Sequence, residues 1–106
     1  MYKYKGKIER VIDGDTIIAD IDLGFEVHKK ERLMLARINA PEVGTDEGKK
    51  AKEFMKQFEG QEISITTSKL DKYGRYVAEI TLIKDQKEVN LSDIMLENNL
   101  ATYVKF

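Results

Sequence analysis

Asp13-Gly14-Asp15-Thr16 sets two carboxylates and a hydroxyl around one glycine. Short carboxylate pairs in a turn can hold a hard cation through oxygen. Asp-Gly is also the commonest polar hairpin turn, and alone the tetrapeptide reads as one. Arg37-Ile38-Asn39-Ala40-Pro41-Glu42 supplies an amide oxygen, backbone carbonyls and a carboxylate at the end of an apolar run. Pro41 fixes the backbone there and biases Ala40 towards an extended conformation. In isolation this segment reads as a strand terminator with a solvated Glu. Asp71-Lys72-Tyr73-Gly74-Arg75 puts an aromatic ring beside a guanidinium that can clamp phosphate, or is an ordinary hairpin turn.

Composition narrows the field. The chain has 106 residues, 18 Lys+Arg against 19 Asp+Glu, one His, no Cys and no Trp. Residues 1–106 are expected to form a single domain. Disulfides, Cys-ligated zinc and thiol nucleophiles are excluded. The formal net charge of −1 argues against broad, salt-driven phosphate binding but not against a local site. No apolar run follows Met1 to Lys5, so no signal peptide is read. No stretch approaches the ~18 apolar residues of a membrane span. The expected compartment is cytoplasmic, or secreted had a leader been removed.

The elements that must position these residues follow from periodicity. Lys5 to Ile12 alternates, Thr16 to Ile21 is β-branched, and Phe25 to Arg37 reads as a longer third strand. Val43 to Gly48 reads as a loop. Lys49 to Phe58 is helical, with Ala51, Phe54, Met55 and Phe58 at i, i+3, i+4 and i+7; Thr45 and Asp46 are candidate caps. Ile63 and Ile65 mark a fourth strand, and Tyr76 to Ile83 a fifth. A second helix opens at Asn90 or Ser92 and stops at Asn99. The predicted class is mainly β with helices (α+β): a five-stranded OB-type barrel with two flanking helices.

The ordered set Asp-Gly-Asp-Thr, Ala-Pro-Glu and Asp-Lys-Tyr-Gly-Arg resembles the staphylococcal nuclease-like (thermonuclease) family, over about Lys5 to Ala101. Val-Asn at 89–90 and Leu-Ala at 100–101 match that family's late helix. The resemblance implies an OB barrel that hydrolyses phosphodiester bonds in DNA or RNA with Ca2+. It assigns Asp15, Asn39 and Ala40 to the metal, Thr16 as a hydroxyl-bearing neighbour, and Glu42 to the attacking water. Arg75 falls to the charge developing on phosphate, and Lys72 and Tyr73 to a terminal phosphate and nucleotide.

Two positions depart from the family pattern. Asn39 stands where a second ligating Asp is usual, which removes one ligand charge. Met34 stands where a second catalytic Arg is usual, seven residues before Pro41. Arg32, on the same strand face, could replace it if a bulge shifted the register; Arg37 could do so if the strand end bent. The family archetype also continues into a further helix beyond the equivalent of Phe106. The resulting expectation is a calcium-dependent nuclease of reduced activity, monomeric, acting on single-stranded DNA or RNA, with no membrane partner. The alternatives are a nucleic-acid-binding module without efficient hydrolysis, and a protein-interaction domain with a vestigial cleft.

Overall fold

In the computed structural model, which describes residues 2–70 and 76–104, β1 (Tyr2–Asp13) and β2 (Thr16–Asp22) form a hairpin over the Gly14-Asp15 turn. β3 (His28–Leu35) continues antiparallel beside β2, then β4 (Ile38–Asn39) follows after a two-residue turn. α1 (Asp46–Lys56) leads into β5 (Glu62–Leu70) and β6 (Tyr76–Lys84). β7 (Lys87–Asn90), α2 (Leu91–Glu97) and β8 (Thr102–Tyr103) complete the order.

The sheet runs β3-β2-β1-β5-β6, and a parallel β3–β6 pairing closes it into a five-stranded barrel, with β7 added outside β6. This is the OB-type α+β class. Bulges after Ile8 and Val11 in β1 and after Thr67 in β5 supply the local twist that closure requires. Ile8, Ile17, Leu33, Ile63, Ile65 and Ile80 fill the interior, because alternate residues of each strand point inward. Met55 and Ala51 of α1 and Leu91 and Met95 of α2 join the same core.

Thr45 caps α1: its Oγ1 accepts from the Gly48 amide at 3.0 Å, so the helix starts three residues before the expected Lys49. Phe54 and Phe58 pack edge-on with centroids 5.7 Å apart. Asn90 caps α2 by accepting from the Asp93 amide at 3.1 Å, and Asn99 takes the left-handed stop at φ 57°.

The third strand is shorter than expected at both ends. Leu23 to Val27 forms a tight turn, with Gly24, Phe25 and Glu26 all at positive φ, so Phe25 does not start the strand. At the other end Arg37 adopts φ 68° and turns the chain into β4. β4, β7 and β8 are too short to show a period in sequence. β8 lies in what reads as an apolar tail; it pairs with β4 through Ile38 opposite Tyr103 and Asn39 opposite Thr102. Among the described residues no helix is long and apolar enough to cross a membrane.

Candidate active site at the Asp15–Ala40 junction

Asp15 is buried, at 7% relative exposure, on the turn between β1 and β2. Its Oδ1 accepts from the Thr16 hydroxyl at 3.1 Å, and its Oδ2 accepts from the Ala40 amide at 3.0 Å. The Asp15 carbonyl accepts from the Leu35 amide at 2.8 Å, which fastens the turn to the end of β3. The Asp15 amide donates to Asp13 Oδ1 at 3.1 Å. Two segments 25 residues apart in sequence thus meet on one carboxylate.

Gly14 permits this approach. Its φ is not positive, so the turn does not need glycine for its backbone angles. A Cβ there would stand 2.7 Å from the Ala51 Cβ of α1 and 2.8 Å from the Ala40 Cβ. The hairpin tip is wedged between the helix and the Ala40 segment, and only glycine fits. Gly48 acts similarly on the other side of the site, where an added Cβ would run into the carbonyl oxygen of Glu42. That carbonyl accepts from the Thr45 hydroxyl at 2.7 Å and the Thr45 amide at 3.0 Å. Backbone contacts at the start of α1 therefore hold Glu42, while its side chain stays exposed.

Burial, then the neighbouring Asp13, pushes the Asp15 carboxyl up to about 6, against the opposing hydrogen bond from Ala40. Burial also acts to raise Asp13, but hydrogen bonds from Asp15 and Thr16 outweigh it and hold Asp13 below its ordinary value. The resulting local excess of negative charge would be relieved by a bound cation. The nearby donor set is carboxylate, amide and carbonyl oxygen, which suits a hard cation such as Ca2+ rather than a transition metal. Among the described residues no three or more His, Cys, Asp or Glu side chains cluster as a metal site. Neutral Asn39 and Ala40 oxygens would have to complete the shell, so the fit is to a weakly held ion.

Asn39 is exposed on β4, and its carbonyl accepts from the Thr102 hydroxyl at 3.3 Å. With Ala40, Pro41, Glu47, Lys50 and the 99–102 segment it lines an open cavity of about 460 Å³. Lys72, Tyr73 and Arg75 lie outside the described residues.

Met34 is half-buried on β3, opposite Thr16 on one side and Val77 on the other. The β2–β3 ladder runs without a register shift, and Arg32 stands opposite Ile18, two residues further from Asp15 than Met34 is. It shares a surface groove with Glu9, Arg10, Lys30 and Glu59.

The Arg37 guanidinium is taken up by Glu79, Asp93 and Asn90. Its Nε and Nη2 bond Glu79 at 2.6 and 3.0 Å, Nη1 bonds Asp93 at 3.1 Å, and Nη2 also reaches Asn90 at 3.2 Å. Glu79 raises the Arg37 pKa further, and Arg37 in turn holds Glu79 below its ordinary value. Val104 donates to the Arg37 carbonyl at 2.8 Å, and Ser92 to the Ala36 carbonyl at 2.6 Å. Arg37 is therefore a clamp between the β3–β4 turn, β6 and α2. Sequence reading missed this clamp, since its partners lie 42 to 56 residues away. It also missed Gly48, where a glycine inside the first helical turn is the one available signal.

The fold and site together define an OB-type barrel with an acidic, oxygen-rich site where the ends of β1, β3 and β4 converge. The staphylococcal nuclease homologue family matches residues 32–106, and the chain belongs to that family. An "uncharacterized endonuclease" of Escherichia coli O157:H7 is 33% identical over 76 residues, covering 71% of this chain and 46% of that protein. A "micrococcal nuclease" of Shigella flexneri is 29% identical over 104 residues, covering 92% of this chain and 57% of its own length. The chain spans about half the length of the curated relatives it matches.

Proposed function

We propose that this chain hydrolyses phosphodiester bonds in DNA or RNA with Ca2+, at a rate reduced by Met34 and Asn39. The observation that carries this reading is the 3.0 Å bond from the Ala40 amide to Asp15 Oδ2, which sets the Asp-Gly-Asp-Thr turn against the Asn39–Glu42 segment in a member of a nuclease family.

In this reading Asp15, the Asn39 amide oxygen and the Ala40 carbonyl hold the ion. A bound Ca2+ would neutralise non-bridging phosphate oxygens. Glu42, anchored through its own backbone, orients an attacking water and takes its proton. Arg75 donates to the phosphoryl oxygens on which negative charge develops. Lys72 and Tyr73 hold the adjoining phosphate and nucleotide. Arg32 serves as the second cation from further along β3, and this less preorganised geometry is the source of the reduced rate. The chain works as a monomer in the cytoplasm, with residues 1–106 as one domain.

The test is incubation with single-stranded DNA and RNA in calcium and in chelator. Cleavage in calcium and none in chelator supports the reading. Tight, salt-dependent binding with no cleavage at high protein concentration overturns it. That second outcome would instead mark a nucleic-acid-binding OB module. The unshifted β2–β3 register favours this alternative, because it leaves Arg32 away from the position of Met34.

A further inference from the structure

The barrel is open at the end away from Gly14. Inward-facing positions of the strands run past the sealed core there and surround a cavity of about 380 Å³. Buried Ile21 and Leu33 form its floor. Tyr4, Leu23 and Tyr76 wall it, with Leu23 at 45% and Tyr76 at 37% exposure. Lys29 and Glu31 stand at its rim, ion-paired at 3.2 Å. The adjoining β2–β3 turn carries fully exposed Phe25 and half-exposed Val27. This is an apolar, partly aromatic opening on a chain that is 35% charged residues.

We propose that this barrel mouth is a binding subsite for one unpaired nucleobase; the inference rests on the nuclease reading above. Buried Ile21 and Leu33 close its floor, which suits a flat ring better than an extended acyl chain. Tyrosine rings offer stacking surfaces that accept any base. The rim pair supplies a donor and an acceptor for a base edge, and its exposure makes the pair easy to open. The mouth lies on the inner face of the β3–β6 pairing, and the Asp15 site adjoins the outer face of β3 at Met34. Thr16, next to Asp15, is opposite Met34; Leu33, next to Met34, is opposite Tyr76. Neighbouring strands lie about 4.8 Å apart, so Tyr76 stands roughly 10 Å from β2. A single strand whose phosphodiester sits at Asp15 reaches the mouth by crossing the rim where the β3–β6 pairing begins at Leu33 and Tyr76. A base paired and stacked within a duplex cannot enter.

The test uses a short single-stranded oligonucleotide carrying 2-aminopurine at each position in turn, titrated in calcium with protein in a Glu42→Gln background. Wild-type cleavage of the same strand is measured in parallel. One labelled position near the cleaved bond should be quenched on binding. Tyr76→Ala should remove that quench and weaken binding at least about fivefold, while Tyr76→Phe retains both. Tyr76 follows Arg75 in sequence, so Leu23→Asp on the opposite wall must also abolish the quench. A position-specific quench is a signal that general destabilisation does not move. Wild-type cleavage with no quenched position, or with a quench untouched by both wall variants, overturns the subsite and leaves the nuclease reading standing. Wild-type protein that neither binds nor cleaves fails that reading, and the subsite with it.

Discussion

The Oδ2 of Asp15 accepts the amide hydrogen of Ala40 at 3.0 Å, and this bond fixes one acidic turn against the loop that carries Glu42. The carboxylate is buried, and Asp13 is beside it. Such a group destabilises the fold when ionised and is useful for what it attracts.

That conflict has a sign. The folded-state value for Asp15, about 6, lies above its ordinary 3.8. Its protonated form is favoured by folding, so the contribution is fully present below pH 3.8 and is lost as pH rises through about 6. In chelator at pH 8, Asp15→Asn should therefore be more stable than wild type by about 3 kcal/mol, and the gap should largely close by pH 4. Urea unfolding at the two pH values measures this. Cleavage should fall in the same variant. A wild-type protein more stable than the variant at pH 8 would contradict the account.

Gly14 should tolerate no side chain. Gly14→Ala forces a methyl against Ala51 and Ala40, and overpacking of this kind costs about 1–3 kcal/mol. Gly48→Ala should cost more, because backbone of the Glu42 segment blocks the space. Gly44→Ala, with nothing within 4 Å, should stay within about 0.5 kcal/mol of wild type. Equal midpoints for the Gly14 and Gly44 variants in thermal unfolding would refute the wedge.

The two arginines of the β3 region should separate stability from rate. Arg37→Ala breaks the bonds to Glu79, Asp93 and Asn90, and should lower the unfolding midpoint clearly. Arg32→Ala should leave the midpoint nearly unchanged and lower kcat. Unfolding curves and cleavage rates on the same preparations decide it; a kcat untouched by Arg32→Ala removes that residue from the proposed machinery.

Met34→Arg should raise the cleavage rate, by up to about 10²–10³ if the guanidinium is held as a preorganised donor. Met34 is half-buried beside Thr16, so the longer side chain has a solvent-facing path. A rate equal to or below wild type at unchanged stability would show that the missing cation is not what limits the reaction.

Much of the architecture was legible because it rests on local signals. Alternation marked β1, β2, β5 and β6, and the i, i+3, i+4 pattern marked α1. Thr45, Asn90 and Asn99 announced helix ends through their own side-chain chemistry. The reading failed where geometry is set at a distance. Arg37 looked like a replacement cation, but acids on β6 and α2 bind it in a turn that sequence alone read as strand. The Asp-Gly turn looked like a choice of backbone angles; it is a matter of space, decided by Ala51 and Ala40. Phe25 and Val27 are strand formers that lie in the turn opened at Asp22-Leu23-Gly24, because Gly24, Phe25 and Glu26 all take positive φ and reverse the chain.

The most direct measurement of the central claim is single-turnover cleavage of single-stranded DNA in saturating calcium by wild type and by Glu42→Gln, with folding of both verified by unfolding midpoint. The account predicts cleavage by wild type and a loss of at least about 10² in the variant at unchanged stability. Equal rates in the two proteins would contradict it.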